Sequence, residues 1–236
     1  MSNLKPFFSY YGGKYRAAPK YPVPRFGTIV EPFAGSAGYS MRYPDLDIVL
    51  IERNPVVAGV WRYLIQASPG EIESLPDLEN GESTADLDVV EGARNLIGFW
   101  LNKGSEHPCT TPSAWMREER YRSQFWGPMI RDRISSQVER ISHWRVIEAS
   151  YEDAPDLEAT WFVDPPYDNS AGRRYRFSDI DYGALGDWCK SRRGQVVVCE
   201  NEGGGWLPFR PFDAKAKAMS GRGRVGTSSE VIWTND

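Results

Sequence analysis

The stretch Trp161-Phe162-Val163-Asp164-Pro165-Pro166-Tyr167 runs from an apolar strand straight into a stiff turn. A strand ending this way carries Asp164 to the carboxyl edge of its sheet, which is where open α/β folds bind ligands. Pro166 lacks an N–H, and the residue before a proline is driven to extended geometry, so the turn resists rearrangement. The Pro165 carbonyl is then expected to have no local hydrogen-bond partner. Beside it, Asp164 supplies a second acceptor and Tyr167 a flat ring. Two acceptors and a stacking face suit a planar base that bears an amine.

Outward from this turn, short apolar runs recur at Thr28–Val30, Ile48–Ile51, Arg145–Ile147 and Gln195–Cys199, and a β-rich run follows at Glu230–Thr234. Runs of this length predict a mainly parallel sheet. The interval between Ile51 and Arg145 has a helical texture instead. Val89, Ala93, Ile97 and Leu101 share one helical face, as do Ile130, Ile134, Val138 and Ile141. Gly127-Pro128 opens the second of these helices, and a Pro-, Thr- and Ser-rich loop from Gly104 to Ser113 lies between them. The segment from Met116 to Trp144 reads as a basic helix carrying Arg117, Arg120, Arg122, Arg131 and Arg133. The expected fold class is α/β, a Rossmann-like sheet with helices on both faces. Residues 1–60 and 145–236 build it, and residues 61–144 form a mostly helical insertion. A chain of 236 residues is long enough for one such domain with a sizeable core.

Ile29-Val30-Glu31-Pro32-Phe33-Ala34-Gly35-Ser36-Ala37-Gly38 is a strand followed by a glycine-containing turn, where the backbone can approach a ligand closely. Leu50-Ile51-Glu52-Arg53-Asn54 ends the next strand with an acid, placed to accept from both hydroxyls of a ribose. A dinucleotide-binding unit is the rival, but the turn reads Gly-Ser-Ala-Gly rather than G-x-G-x-x-G, and Glu31 would repel a pyrophosphate. A carboxylate there favours a cationic ligand instead, and S-adenosylmethionine carries both an ammonium and a sulfonium. Ahead of the first strand, Phe8-Ser9-Tyr10-Tyr11-Gly12-Gly13-Lys14 adds an aromatic–glycine–lysine loop whose lysine suits the ligand's carboxylate.

The net charge is −4, yet its distribution is uneven. Lys5, Lys14, Arg16, Lys20 and Arg25 precede any acid. Arg173, Arg174 and Arg176 cluster after the proline turn, and the acids concentrate between Glu71 and Glu91. A basic face of this kind permits nucleic acid as a partner. The 3 cysteines are odd in number and widely spaced, which fits reduced thiols in a cytoplasmic protein rather than a disulfide framework. His107-Pro108-Cys109 lacks the C-x-x-C pair a zinc site needs, so no metal is expected. No apolar run reaches the length of a membrane span, and no signal-peptide core is visible.

Tyr10-Tyr11-Gly12-Gly13-Lys14, the run from Glu31 to Gly38, the acid of Leu50–Asn54 and Phe162–Tyr167, in that order, resemble the Dam-type, class alpha family of DNA adenine-N6 methyltransferases. The resemblance covers nearly the whole chain and is poorest in the insertion. It implies S-adenosylmethionine as cofactor, contacted by Tyr10, Lys14, Glu52 and Asp164, with Glu31, Phe33 and Gly35 lining the same pocket. It implies that Asp164, Pro165 and Tyr167 act on an adenine flipped out of duplex DNA, since a base is not reachable inside the stack. Residues 61–144 would then recognise the target, with Lys103, Arg117, Arg120, Arg122, Arg173 and Arg174 facing the duplex. The implied partners are double-stranded DNA and a cognate restriction endonuclease, with the enzyme itself a monomer. The chain departs from the family at Glu52, where aspartate is usual, and at Ala37, where the second glycine of the motif falls, Gly38 standing one place late. The insertion also lacks the N-G-L-x-R-Y-N pattern of GATC readers, so a different target is expected. Cytosine N4, RNA and protein glutamine present similar amines, and a catalytically silent DNA-binding relative is a further alternative.

Overall fold

The computed structural model describes all residues except 1, 2, 80, 115, 117, 119–122, 220–224 and 236, and the side chains of 213–228 are outside the description. Strands β1 (Thr28–Glu31), β2 (Asp47–Ile51), β3 (Arg145–Ile147), β4 (Glu158–Val163), β5 (Arg193–Asn201), β6 (Arg210–Met219) and β7 (Val225–Thr234) form a 7-stranded sheet ordered β3-β2-β1-β4-β5-β7-β6. The first five in this order run parallel, and β7 lies antiparallel to both of its neighbours. Strand order therefore reverses between β1 and β4, which makes that junction the topological switch point.

Strand residues alternate between two buried faces, as the pleat requires. Ile29, Ile48, Leu50, Phe162, Val197 and Cys199 enter one apolar cluster. Val30, Val49, Ile51, Trp161, Val163, Val196 and Val198 enter the other. Because both faces are covered, these strands read as continuous apolar runs in the sequence. Helices α1 (Pro55–Gln66), α3 (Glu91–Leu101) and α4 (Pro128–Val138) cover the first face, together with the N-terminal Leu4, Phe7 and Phe8. The short α2 (Pro69–Glu73) caps itself with Ser68 and Glu71 and contributes Ile72 to the same cluster. On the second face α5 (Tyr182–Ser191) supplies Leu185 and Cys189. The chain is thus an α/β fold with a mixed, mostly parallel sheet flanked by helices. Among the described residues no helix is long and apolar enough to cross a membrane.

All of the anticipated strands are present, but β6 was not anticipated. Its run Asp213-Ala214-Lys215-Ala216-Lys217-Ala218 lacks the β-branched and aromatic residues that announce a strand. It pairs only with β7 at the sheet edge, where lysines and Pro211 are tolerated. The expected helix from Met116 to Trp144 is a second correction. The α-helix begins only at Pro128, because Gly127 is extended and Pro128 takes the first helical position, where its missing N–H is harmless. It then ends at Val138 and tightens into a 3-10 turn at Glu139–Ile141. Ile130, Ile134, Val138 and Ile141 are buried, as their spacing predicts. Helix α1 runs unbroken through residues 60 and 61, and the helices of the 61–144 segment share one buried cluster with the sheet.

Candidate functional site

At the switch point a cavity of about 390 Å³ opens over the carboxyl ends of β1, β2 and β4. Glu31 is the last residue of β1, Glu52 follows β2 and Asp164 follows β4, so three acids arrive at one edge because three parallel strands end there. Tyr10, Lys14, Phe33 and Gly35 line the same cavity, together with Tyr151, Tyr175, Phe177 and Ile180. Every cofactor-side residue singled out in the sequence is therefore brought to one place. Pro165 is buried beside it.

The turn after β1 is held from two sides. Gly35 adopts φ 45° and donates its N–H to Glu52 Oε2 at 2.9 Å, while its carbonyl accepts from Trp61 Nε1 at 2.7 Å. The other Glu52 oxygen accepts from Asn54 N at 2.8 Å, and Asn54 caps α1 through Val56 N. Burial raises the Glu52 carboxyl above its ordinary range, and the Asn54 and Gly35 N–H groups oppose that rise. Glu52 thus organises both the turn and the helix that follows, with the second lone pairs of its oxygens left for a ligand.

Ala37, where the motif glycine was expected, takes φ 51°, a left-handed conformation that costs an alanine roughly 1–2 kcal/mol. Gly38 is needed for a different reason. A Cβ there would stand 2.5 Å from Tyr15 N and 2.9 Å from Lys14 C, so glycine lets the Lys14–Tyr15 backbone pass directly behind the turn.

That passage delivers Lys14 to Asp164. Lys14 Nζ lies 2.9 Å from Asp164 Oδ1 and 3.9 Å from Glu230 Oε1, donates to the Gly12 carbonyl at 3.0 Å, and sits 5.0 Å above the Tyr167 ring. The Lys14–Asp164 contact is an ion pair without hydrogen-bond alignment, so the buried Oδ1 accepts no hydrogen bond. No donor among the described residues reaches the Pro165 carbonyl, whereas Tyr182 donates to the next one, Pro166, at 2.7 Å. Tyr167 is committed to the cluster behind the turn, its hydroxyl donating to Glu230 Oε1 at 3.4 Å.

The charges of this cluster act together. Burial pushes Asp164 up to about 6 against the pull of Lys14, and the carboxylates of Glu230 and Glu200 add to the rise. Burial also works against the Lys14 charge, but Asp164 foremost, with Glu230, holds the ammonium well above its ordinary range. The two upward shifts thus have different causes, burial for Asp164 and the neighbouring acids for Lys14. Burial likewise pushes Glu31 up to about 8, although Ser40 N donates to it at 2.8 Å.

The Glu31 shift has a testable sign. Its pKa is 4.5 ordinarily and about 8 in the fold, so its favourable contribution is complete below 4.5 and is lost as pH rises through 8. The parent should therefore lose stability relative to Glu31→Gln between about pH 5 and 8, by at most about 5 kcal/mol. Paired thermal melts across that range check it, and a difference independent of pH would show Glu31 to be ionised throughout.

Compared with models of known protein families, the chain matches none, and no curated protein matches it either. The geometry must carry the functional argument by itself.

The basic residues divide. Arg117, Arg120 and Arg122 lie outside the described residues. Lys103 donates to Gln124 Oε1 at 2.7 Å and sits 5.5 Å from the Phe125 ring centre. Arg173 and Arg174 are exposed, just before the cavity-lining Tyr175 in the chain, and Arg174 lies over the Tyr11 ring and 3.7 Å from Glu106. Arg131 and Arg133 serve the fold. The first pairs with Asp77 at 2.9 Å, and the second lies against Trp100 and donates to the Pro6 carbonyl. Sequence reasoning missed Glu230 and Tyr21, which are joined at 2.6 Å. The signal available for Glu230 was weak, an acid opening an apolar run.

Proposed function

We propose that the chain is an S-adenosylmethionine-dependent methyltransferase acting on the N6 amine of adenine in duplex DNA. The observation that carries this reading is the Asp164 turn, where a carboxylate held by Lys14 lines a cavity rich in acids and the adjoining Pro165 carbonyl has no donor among the described residues. The doubly wound strand order, with its antiparallel edge, supports a methyltransferase-type sheet.

In this reading Glu52 receives the ribose hydroxyls and Glu31 faces the cationic end of the cofactor, where a neighbouring ammonium favours its ionised form. Phe33 and Ile180 offer apolar surface for the adenine ring of the cofactor. Lys14 is engaged by Asp164, which makes it part of the substrate side more than a partner for the cofactor carboxylate.

The adenine amine is a poor nucleophile because its lone pair is delocalised into the ring. Hydrogen bonds from its N–H groups to Asp164 and the Pro165 carbonyl favour a pyramidal nitrogen and return that lone pair. S-adenosylmethionine, when bound, would supply a methyl group to that nitrogen on a sulfonium that leaves as a neutral thioether with the carbon–sulfur electron pair. The product nitrogen is briefly cationic and acidic, and it loses its proton without a dedicated base. Holding the reactants in line supplies much of the acceleration. Extruding the base costs a few kcal/mol. The ring of Tyr175, which lines the cavity, is available to stack on the extruded base.

The test is expression in a methylation-free bacterium followed by mapping of modified bases and nucleoside analysis. N6-methyladenine in a defined sequence other than strict GATC is the expected result. Label on cytosine, or none on DNA, would sink the reading.

A further inference from the structure

Glu230 on β7 is 2 % exposed, and nothing in cofactor or base recognition calls for it. A buried carboxylate is unfavourable unless it is paired and hydrogen-bonded, so its partners show what it does. Oε2 accepts from the Tyr21 hydroxyl at 2.6 Å, while Oε1 accepts from Tyr167 at 3.4 Å and lies 3.9 Å from Lys14 Nζ. Tyr21 is itself immobilised, stacked on Phe212 at 4.7 Å and edge-on to Phe162 at 5.0 Å. The whole assembly is braced on the sheet and directed at the back of the Asp164 turn.

Packing alone does not account for an acid here, because a second carboxylate beside Asp164 is repelled by it. The arrangement makes sense if charge is the point. One ammonium between two carboxylates leaves the cluster net negative, directly beneath the place where the attacking amine becomes cationic. Negative charge fixed in advance at such a place stabilises the transition state without reorganisation. Resting on the methyltransferase reading, we propose that Glu230 is a positioning residue. It holds Lys14 and Tyr167 from behind, so that Asp164 meets the amine, and it keeps the cluster negative while methyl transfer proceeds.

Glu230→Gln in the full chain tests this, since it keeps the shape and an acceptor for Tyr21 but removes the charge. With duplex DNA, kcat is expected to fall about tenfold or more. The calorimetric Kd for S-adenosylmethionine should stay within about threefold of the parent. The acid limb of the kcat–pH profile should move to lower pH, because Asp164 loses a repelling neighbour. Glu230→Asp restores the charge and should recover most of the loss. A purely structural residue would change the melting temperature and leave the acid limb in place. Unchanged kcat and profile in Glu230→Gln overturn the proposal, and so does a parallel loss of kcat and cofactor affinity.

Should that variant not melt cooperatively, Tyr21→Phe removes the 2.6 Å anchor while keeping every charge. There kcat should drop severalfold at unchanged cofactor affinity, and an unaltered kcat overturns the proposal. A parent that binds cofactor yet methylates no DNA refutes the methyltransferase reading, and the positioning role with it. An active parent with an indifferent Glu230 variant refutes the positioning role alone.

Discussion

Asp164→Asn is expected to lower kcat by about 10²–10³-fold, the range seen when one preorganised polar contact to a transition state is removed. The asparagine keeps the shape and one acceptor, but it brings an NH₂ group toward an amine that itself donates. It also strips Lys14 of its nearest counter-charge, leaving only Glu230 at 3.9 Å. Breaking a buried pair by removing one partner costs about 3–5 kcal/mol. Part of that is offset, because burial already opposes the Asp164 charge. The melting temperature should therefore fall by several degrees, while the protein remains folded and still binds S-adenosylmethionine. Tritiated methyl incorporation into duplex DNA reads the first effect, and calorimetry with a thermal melt reads the others. A variant that keeps more than about a tenth of parental turnover would remove Asp164 from the mechanism.

The second large effect is expected at Glu52. Glu52→Ala removes the acceptor for Gly35 N and for Asn54 N together, and so releases the turn over the cavity and the start of α1. A hydrogen bond to a charged group contributes about 1.5–3 kcal/mol. Losing the ribose contact and the turn that frames it should weaken cofactor binding about a hundredfold or more. Glu52→Gln, which still accepts at one oxygen, should fall between parent and alanine variant in both Kd and melting temperature. Calorimetry showing parental affinity in Glu52→Ala would refute the ribose assignment, and tight binding of NAD by the parent would turn the reading toward a dehydrogenase.

Much of this site could be seen in the linear chain. Glu31, Glu52 and Asp164 each close an apolar run, and parallel strands bring such residues to one edge whatever the details of packing. The buried faces of α3 and α4 followed from spacing, except that Val89 lies ahead of α3, which begins at Glu91. Other features depend on contacts between distant residues. Glu230 and Lys14 lie 216 positions apart (230 − 14), and no local pattern announces that they meet. Strand β6 was hidden because an alanine–lysine run has little β-propensity and is a strand only because β7 accepts it. The second helix opens at Gly127-Pro128, as that pair announced, whereas the reading of one basic helix from Met116 ran past the pair and partly onto residues outside the description. The odd glycine spacing had its explanation in the neighbouring segment, since Gly38 gives way to Lys14 and Tyr15.

The meeting of Lys14 with Glu230 also bears on how the protein comes into being. Lys14 belongs to the segment before β1, and Glu230 to β7, the last strand in chain order. During synthesis Glu31 and Glu52 emerge early, but the charge cluster behind Asp164 stays incomplete until residue 230 has been added and β7 has slotted between β5 and β6. Such non-local closure is slow relative to local helix formation. A partly made chain can therefore assemble the turn after β1 and its Glu52 contact before Glu230 reaches Lys14.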